Sequence, residues 1–579
     1  MSKLPKRLYS STLQQHGLDD MAAFLACDGY RTSAEVTAQW LDQVWPRMET
    51  QGVDGLFGFY IGADEKDSKN NILTIGQGGL TLGQKDYYVD ADPETAKVRE
   101  AYVAYIQKLA AHVGFSQDDA ARMSQDVMRI ETRLAKASRS MTELRDPEAN
   151  YNKMSYEQLK KDFPGIKWDA YFQNFGISGL KDVVVGQPEA IHEVERVLAE
   201  ETPEALQNVY LWHAINMASG YVDDESRNIA FSFWGTTLSG RTQDRPRWKR
   251  AVSSVDGFLG EALGQLYVAK YFPPAAKERM VKLVANLQQA LGERIDVQDW
   301  MTPETKKVAR EKLDAFYVKV GYPDKWADYS SLEIGHSYLQ NVLACQAWSL
   351  KDQIAKHLNK PVDKEEWFMT PQTVNAYYNP TTNEICFPAG ILQPPFFDMA
   401  ADDAFNYGAI GVVIGHEMTH GFDDQGSKYD KDGNLKTWWK PEDTKRFEER
   451  IQVMRAFHDS IEVLPGLHAN GSLTLGENMA DHGGLMVAFQ AFENATAKKP
   501  LGTKDGFTPE QRFFLAYANV WGQNIRDEEV RKRVKSDPHQ LGMWRVNGQM
   551  PHMDAWYDAF GITESDPMFV PKDKRVTIW

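Results

Sequence analysis

Residues 404–420 read AFNYGAIGVVIGHEMTH, an apolar helical pattern that abruptly carries His416, Glu417 and His420. Ionisable groups on such a face are expensive unless something holds them. His416 and His420 are four residues apart, so on a helix both imidazoles project from one face, one turn from each other. That spacing lets two ring nitrogens reach a single zinc ion. Glu417 lies about 100° around the helix, better placed to hold a water at the metal than to complete the ligand pair. Taken alone, the pattern also fits two capped or paired helical histidines.

A catalytic zinc needs a third protein ligand and an open fourth position. The segment Gly476-Glu477-Asn478-Met479-Ala480-Asp481 offers two carboxylates one helical turn apart. Glu477 is read as the third ligand. Asp481 is placed to accept the free N–H of a liganding histidine, which fixes its tautomer and raises its basicity; an ordinary helix-surface carboxylate is the plainer alternative. A structural zinc site would prefer four protein ligands, mostly cysteine, and a zinc-containing peptide receptor without turnover would have no need of Glu417.

The elements that must position these groups show in the periodicity. Up to about residue 315 the chain reads mostly as amphipathic helix, over 93–113, 117–138, 188–200, 257–271 and 274–291, punctuated by Gly and Pro signals. Beyond Phe316 the pattern turns strand-like through Val318-Lys319-Val320, and residues 373–388 alternate and reverse as a β-hairpin would, at Asn379-Pro380 and Thr382-Asn383. At 579 residues the chain is long enough for two to four units of roughly 150 residues each. The expectation is a helical lobe over 1–315 and a zinc catalytic domain over 316–579.

Composition excludes several functions. The formal charge of −16 repels a phosphate backbone, so nucleic acid is not an expected partner. The one dense basic run, Arg241, Arg245, Arg247, Lys249 and Arg250 beside Trp248, reads as a solvated or ion-paired structural segment. No apolar run approaches the roughly 18 residues of a transmembrane span. Cys27, Cys345 and Cys386 are too few and too scattered for a disulfide framework. The opening MSKLPKRLYSS has no apolar stretch behind it, so the chain as written carries no export signal. That places it in the cytoplasm if Met1 is the start, and in the cell envelope if the start is truncated. Asp430-Lys431-Asp432-Gly433-Asn434 begins like a calcium loop, but Leu435 and Pro441 stand where Gly and Glu are needed, which leaves a turn.

His416-Glu-Met-Thr-His-Gly-Phe-Asp-Asp424, with Gly476-Glu-Asn-Met-Ala-Asp481 some fifty residues on, resembles the neprilysin family of zinc peptidases, which includes endothelin-converting enzymes and bacterial oligopeptidases of the PepO type. Matching stretches elsewhere are Val374-Asn375-Ala376-Tyr377-Tyr378, Phe387-Pro388-Ala389-Gly390-Ile391-Leu392, Asp537-Pro538-His539, Gln77-Gly78-Gly79-Leu80 and Asp86-Tyr87-Tyr88, so the resemblance spans essentially the whole chain. It implies a mainly helical fold with a small β component, in which a thermolysin-like catalytic lobe and a large helical lobe enclose the active-site cavity. It further implies one zinc ion per chain and short peptides as substrates, cut on the amino side of hydrophobic residues.

Site roles implied by the resemblance fall on named positions. Asn375 and Ala376 would bind the substrate backbone, His539 would meet the transition state with Asp537 as its orienting partner, and Arg545 would bind substrate. Ile391, Phe396, Val412, Val413, Val520 and Trp521 would line the pocket for the side chain after the cut; periodicity alone makes all six core. The expected mechanism is a metal-activated water with Glu417 as general base and His539 as hydrogen-bond donor to the oxyanion. Family members usually carry a further segment before the point where this chain begins.

Overall fold

The computed structural model describes residues 20, 21 and 45–579; Cys27 and the basic opening stretch lie outside them. The fold is mainly helical with a small β component, 56% helix against 9% strand, and no helix among the described residues is long and apolar enough to cross a membrane. The chain divides into two compact units, each assembled from separate stretches.

The first unit takes the chain up to Asp64, then Lys69–Leu259 and Asp328–Val362. Strands β1 (Phe57–Asp64) and β2 (Asp67–Gln77) lead into helices α1 (Pro93–His112) and α2 (Gln117–Ala137). Each helix starts where an oxygen-bearing side chain can take up a free backbone N–H. Asp92, ahead of Pro93, accepts from Thr95 N at 2.9 Å, and Ser116 accepts from Asp119 N at 3.1 Å. Then follow β3 (Lys153–Ser155), β4 (Asp182–Val185), α3 (Pro188–Glu200) and α4 (Pro203–Ala218). The sheet order is β1-β2-β4-β3, with β2 and β4 parallel, Leu73 opposite Val183, and β3 antiparallel to β4. Tyr102, Val127, Ile130, Trp212 and Ile215 are buried in its core. The basic run is satisfied locally in part. Arg250 pairs with Asp244 at 3.2 Å, Arg245 donates to the Ser253 hydroxyl, and Arg241 lies over the Phe231 ring.

The second unit takes Glu65–Ser68, Gly260–Ala327 and Asp363–Trp579. It contains α5 (Pro274–Val297), α6 (Pro303–Asp314), β5 (Tyr317–Gly321), β6 (Tyr377–Asn379), β7 (Glu384–Pro388), α7 (Val412–His420), α8 (Pro441–Asp459), α9 (Leu475–Thr496), α10 (Pro509–Val520), α11 (Asp527–Ser536) and α12 (Gly542–Asn547). Its three-stranded sheet has the order β5-β7-β6. β6 and β7 form the antiparallel hairpin read from the sequence, with Tyr377 opposite Cys386 and Asn383 at φ 51° in the reversal.

A single junction near residue 316 is what the pattern shift suggests, but residues 260–327 pack with 363–579 and residues 328–362 pack with the first unit. The reason is that α5 and α6 bury Leu283, Leu287, Leu291, Ile295, Ala309 and Leu313 in the same core as Met479, Leu485 and Ala488 of α9. Helices that read as the end of a helical lobe are therefore core of the second unit. The calcium-loop decoy is a turn: Gly433, at φ 88°, donates to Asp430 O, and Asp430 Oδ1 accepts from the backbone N of Asp432 and of Asn434.

A candidate metal centre

Helix α7 is the last part of a longer helical run that begins at Asp403–Asn406 and passes through a π-turn over Tyr407–Gly411. Its inward face meets α9, and two glycines set how closely. A Cβ on Gly415 would lie 2.8 Å from Gly484 O, and one on Gly484 would lie 2.7 Å from Val412 O and 2.8 Å from His416 N. Real Cβ atoms do not approach backbone so closely, so the two helices touch backbone to backbone only because both positions lack a side chain. This contact carries Glu477, in the first turn of α9, up to the histidine pair of α7.

His416 Nε2 lies 3.2 Å and His420 Nε2 3.5 Å from Glu477 Oε2, and the two Nε2 atoms are 3.0 Å apart. The other ring nitrogens are already engaged. His416 Nδ1 donates to Asp481 Oδ1 at 2.9 Å, and His420 Nδ1 donates to Asp423 Oδ2 at 2.7 Å. With both Nδ1 protons so placed, the Nε2 lone pairs of the two rings turn toward each other and toward Glu477, a contact that a proton or a metal ion between them relieves. Glu477 Oε2 is buried, and although three imidazole nitrogens surround it, it makes no hydrogen bond of acceptable geometry. Two imidazoles and a carboxylate converging on one point could hold a metal ion, and Asp481 and Asp423 stand behind the rings where they would fix both tautomers.

Around this point the charges are balanced in pairs. Arg545 grips Asp481 with two donors, Nε to Oδ2 at 2.8 Å and Nη2 to Oδ1 at 2.7 Å, while its guanidinium stacks 3.9 Å from the Trp521 ring centre. Burial opposes ionisation of Asp481, but Arg545 and His416 hold it at about 2. Burial likewise works against Glu477, yet the facing imidazoles, His420 foremost, keep it well below the usual carboxylate range. Glu417 is the exception: it is buried, has no such direct partner, and burial raises its pKa although the histidines pull the other way.

His539 brings its Nε2 within 3.2 Å of Glu477 Oε2, and its Nδ1 and backbone N both donate to Asp537 Oδ1 at 2.9 Å. Arg533, one turn back on α11, donates from Nε to Asp537 Oδ2 at 2.8 Å. A cavity of about 590 Å³, lined by residues of the second unit, opens on His416, Glu417, His420, Glu477 and Asp481. Asn375, Ala376, Ile391, Phe396, Val412 and Val413 line it, together with Trp521, His539 and Arg545.

Val520 does not line the cavity; it is half-buried and packs against the core. It closes α10 one residue before Trp521, and a step of about 100° turns it away from the face that Trp521 presents. Sequence reasoning missed Asp423 and Arg533. Both had a signal at helical spacing, Asp423 three residues after His420 and Arg533 four before Asp537. The two glycines at the α7/α9 crossing had none, because only the packing shows what they allow.

Two family models, both described as Peptidase family M13, match residues 6–323 and 375–576. Human endothelin-converting enzyme 1 is 34% identical over 540 residues, 90% of this chain and 69% of its own length. The crystal structure of Mycobacterium tuberculosis zinc metalloprotease ZMP1 with an inhibitor superposes at TM-score 0.94 with 38% identity, covering 99% of this chain and 88% of that one. PEPO from Lactobacillus rhamnosis superposes at 0.89 with 27% identity, covering 100% and 90%.

Proposed function

We propose, from the premise that this chain belongs to peptidase family M13 and is a zinc metalloendopeptidase, that it hydrolyses short peptides on the amino side of hydrophobic residues, with one zinc ion held by His416, His420 and Glu477. The observation that carries the ligand assignment is the facing pair of Nε2 atoms, 3.0 Å apart beside Glu477 Oε2, with both Nδ1 atoms committed to carboxylates.

Zinc, when bound, supplies Lewis acidity that polarises a carbonyl and makes a water acidic near neutral pH. Glu417 takes the proton of the attacking water and returns it to the leaving nitrogen. Its buried carboxyl, raised from the ordinary range, suits a group that must both accept and give a proton. No covalent intermediate with the protein is needed. With Nδ1–H given to Asp537, His539 donates from Nε2 to the developing oxyanion in its imidazolium form, and the Arg533–Asp537 pair holds that ring in place.

Asn375 offers an amide donor and acceptor to the peptide backbone beside Ala376. Ile391, Phe396, Val412, Val413 and Trp521 make an apolar wall for the side chain after the cut, in a cavity sized for a few residues. Arg545 already spends two donors on Asp481, so it binds substrate with what remains and also keeps Asp481 ionised beside His416. The test is cleavage of a mixture of short peptides with zinc quantified. Activity should disappear with a chelator, return with zinc, and leave products that begin with a hydrophobic residue; cleavage that survives complete zinc removal would contradict the reading.

A further inference from the structure

Lys312, in the last turn of α6, is fully buried. Burial works against its charge and pulls its pKa down to about 7, with Asp423 and Asp430 opposing through space. Instead of a carboxylate, its Nζ meets three backbone carbonyls: Gly421 O at 2.6 Å, Gly426 O at 2.7 Å and Tyr429 O at 2.7 Å. Each of the three ammonium protons has one acceptor. The faces of Phe422, Trp438 and Tyr378 stand 5.6, 5.9 and 6.0 Å away, within range of a cation–π attraction.

All three carbonyls belong to the nine residues that follow the histidine helix. Gly421 caps the C-terminal end of α7, where the helix dipole is negative and a cation is favoured. Gly426 lies so close behind it that a Cβ there would come within 1.8 Å of His420 O. Between these points stands Asp423, whose Oδ1 accepts from the backbone N of Gln425 at 2.8 Å and of Gly426 at 2.6 Å while its Oδ2 accepts from His420 Nδ1. One ammonium thus ties both sides of the turn whose purpose at this site is to aim a carboxylate at a histidine. Lys312 does not itself line the cavity.

We propose that Lys312 is a positioning residue for the metal centre: by gathering the carbonyls of Gly421, Gly426 and Tyr429 it holds the 421–429 turn so that Asp423 fixes the His420 tautomer with Nε2 free for zinc. This rests on the reading of His420 as a ligand. It makes Lys312 part of the zinc site although it touches neither metal nor substrate, acting through a turn that joins α6 to the end of α7.

The test is a double-mutant cycle on the full chain, with the zinc dissociation constant measured by chelator competition and the metal-free melting temperature recorded alongside. Asp423→Asn should weaken zinc roughly 10- to 100-fold, as loss of an outer carboxylate partner does. Lys312→Met should weaken it by at least about tenfold, and the double variant should bind about as weakly as Asp423→Asn alone, because both act through one turn. Losses that multiply, or a folded Lys312→Met protein with wild-type zinc affinity, would reduce Lys312 to a stability role and overturn the inference. Should the apolar variant not fold, Lys312→Gln, which keeps two donors without the charge, is read the same way. His420→Ala separates the two readings. If it leaves zinc affinity intact, the ligand assignment fails; if it abolishes binding while the Lys312 variants do not alter it, only the present inference fails.

Discussion

At the scale of single residues, charge and proton placement decide what each group can do. Glu417 is a buried carboxylate of the site with no hydrogen bond or ion pair of its own, and its raised pKa suits a group that moves a proton. Glu417→Gln should keep zinc and lower kcat by about 10²- to 10⁴-fold, the range for removing a general base; metal analysis beside turnover checks this, and a metal-loaded variant of near-normal kcat would take Glu417 out of the role. Asp481 and Asp423 perform the same service for different histidines, but Asp481 also neutralises Arg545. Replacing either by alanine should loosen zinc roughly 10- to 100-fold. Asp481→Ala should in addition lower the melting temperature of the metal-free protein more, because it leaves a guanidinium buried without its counter-charge. Equal melting temperatures for the two variants would show that the Arg545 pair adds nothing to stability. The histidine pair and Glu477, which the structure brings together, were legible in the sequence, the first from the four-residue spacing that one metal ion asks of a helix and the second from the Gly-Glu-Asn-Met-Ala-Asp segment. Asp423 stood within the same motif, but its role was not legible, because the turn after the helix end, which swings its carboxylate back to His420, shows only in the fold.

At the scale of elements, the site is made by one helix crossing. Gly415 and Gly484 let α7 and α9 meet at backbone distance, and Glu477 reaches the histidines only from there. Gly484→Ala puts a Cβ 2.7 Å from Val412 O, so the helices must separate. The expected result is largely retained helical circular dichroism with zinc affinity reduced by an order of magnitude or more; wild-type affinity would mean that the crossing does not set the ligand geometry. Helices with a clear apolar stripe and a cap, such as α1 and α2, and the β6–β7 hairpin with its Asn-Pro and Thr-Asn reversal, could be read from local pattern alone. The assignment of α5 and α6 to the second unit could not. An amphipathic stripe shows that a helix has a buried face but not which core will bury it.

At the scale of the whole molecule, buried neutral histidines make stability depend on pH. Burial pushes His458 and His482 down to about 3 and His552 to about 4, against an ordinary value of 6.5. Below pH 6.5 the unfolded chain takes up protons that the folded chain refuses. The stability that depends on these three rings staying neutral is therefore full above that pH and falls as the pH drops towards 4. The denaturant midpoint of His482→Gln should rise relative to that of the wild type as the pH is lowered from 7 to 5; a difference between the two proteins constant over that window would contradict it. Whatever the pH, the account requires that one zinc ion be gripped by two imidazoles and one carboxylate. The most direct test is the zinc K-edge absorption spectrum of the protein loaded with one equivalent of metal. Two imidazole shells and oxygen neighbours at about 2.0–2.2 Å are predicted. A sulfur shell near 2.3 Å, or a spectrum unchanged when Glu477 is replaced by alanine, would contradict it.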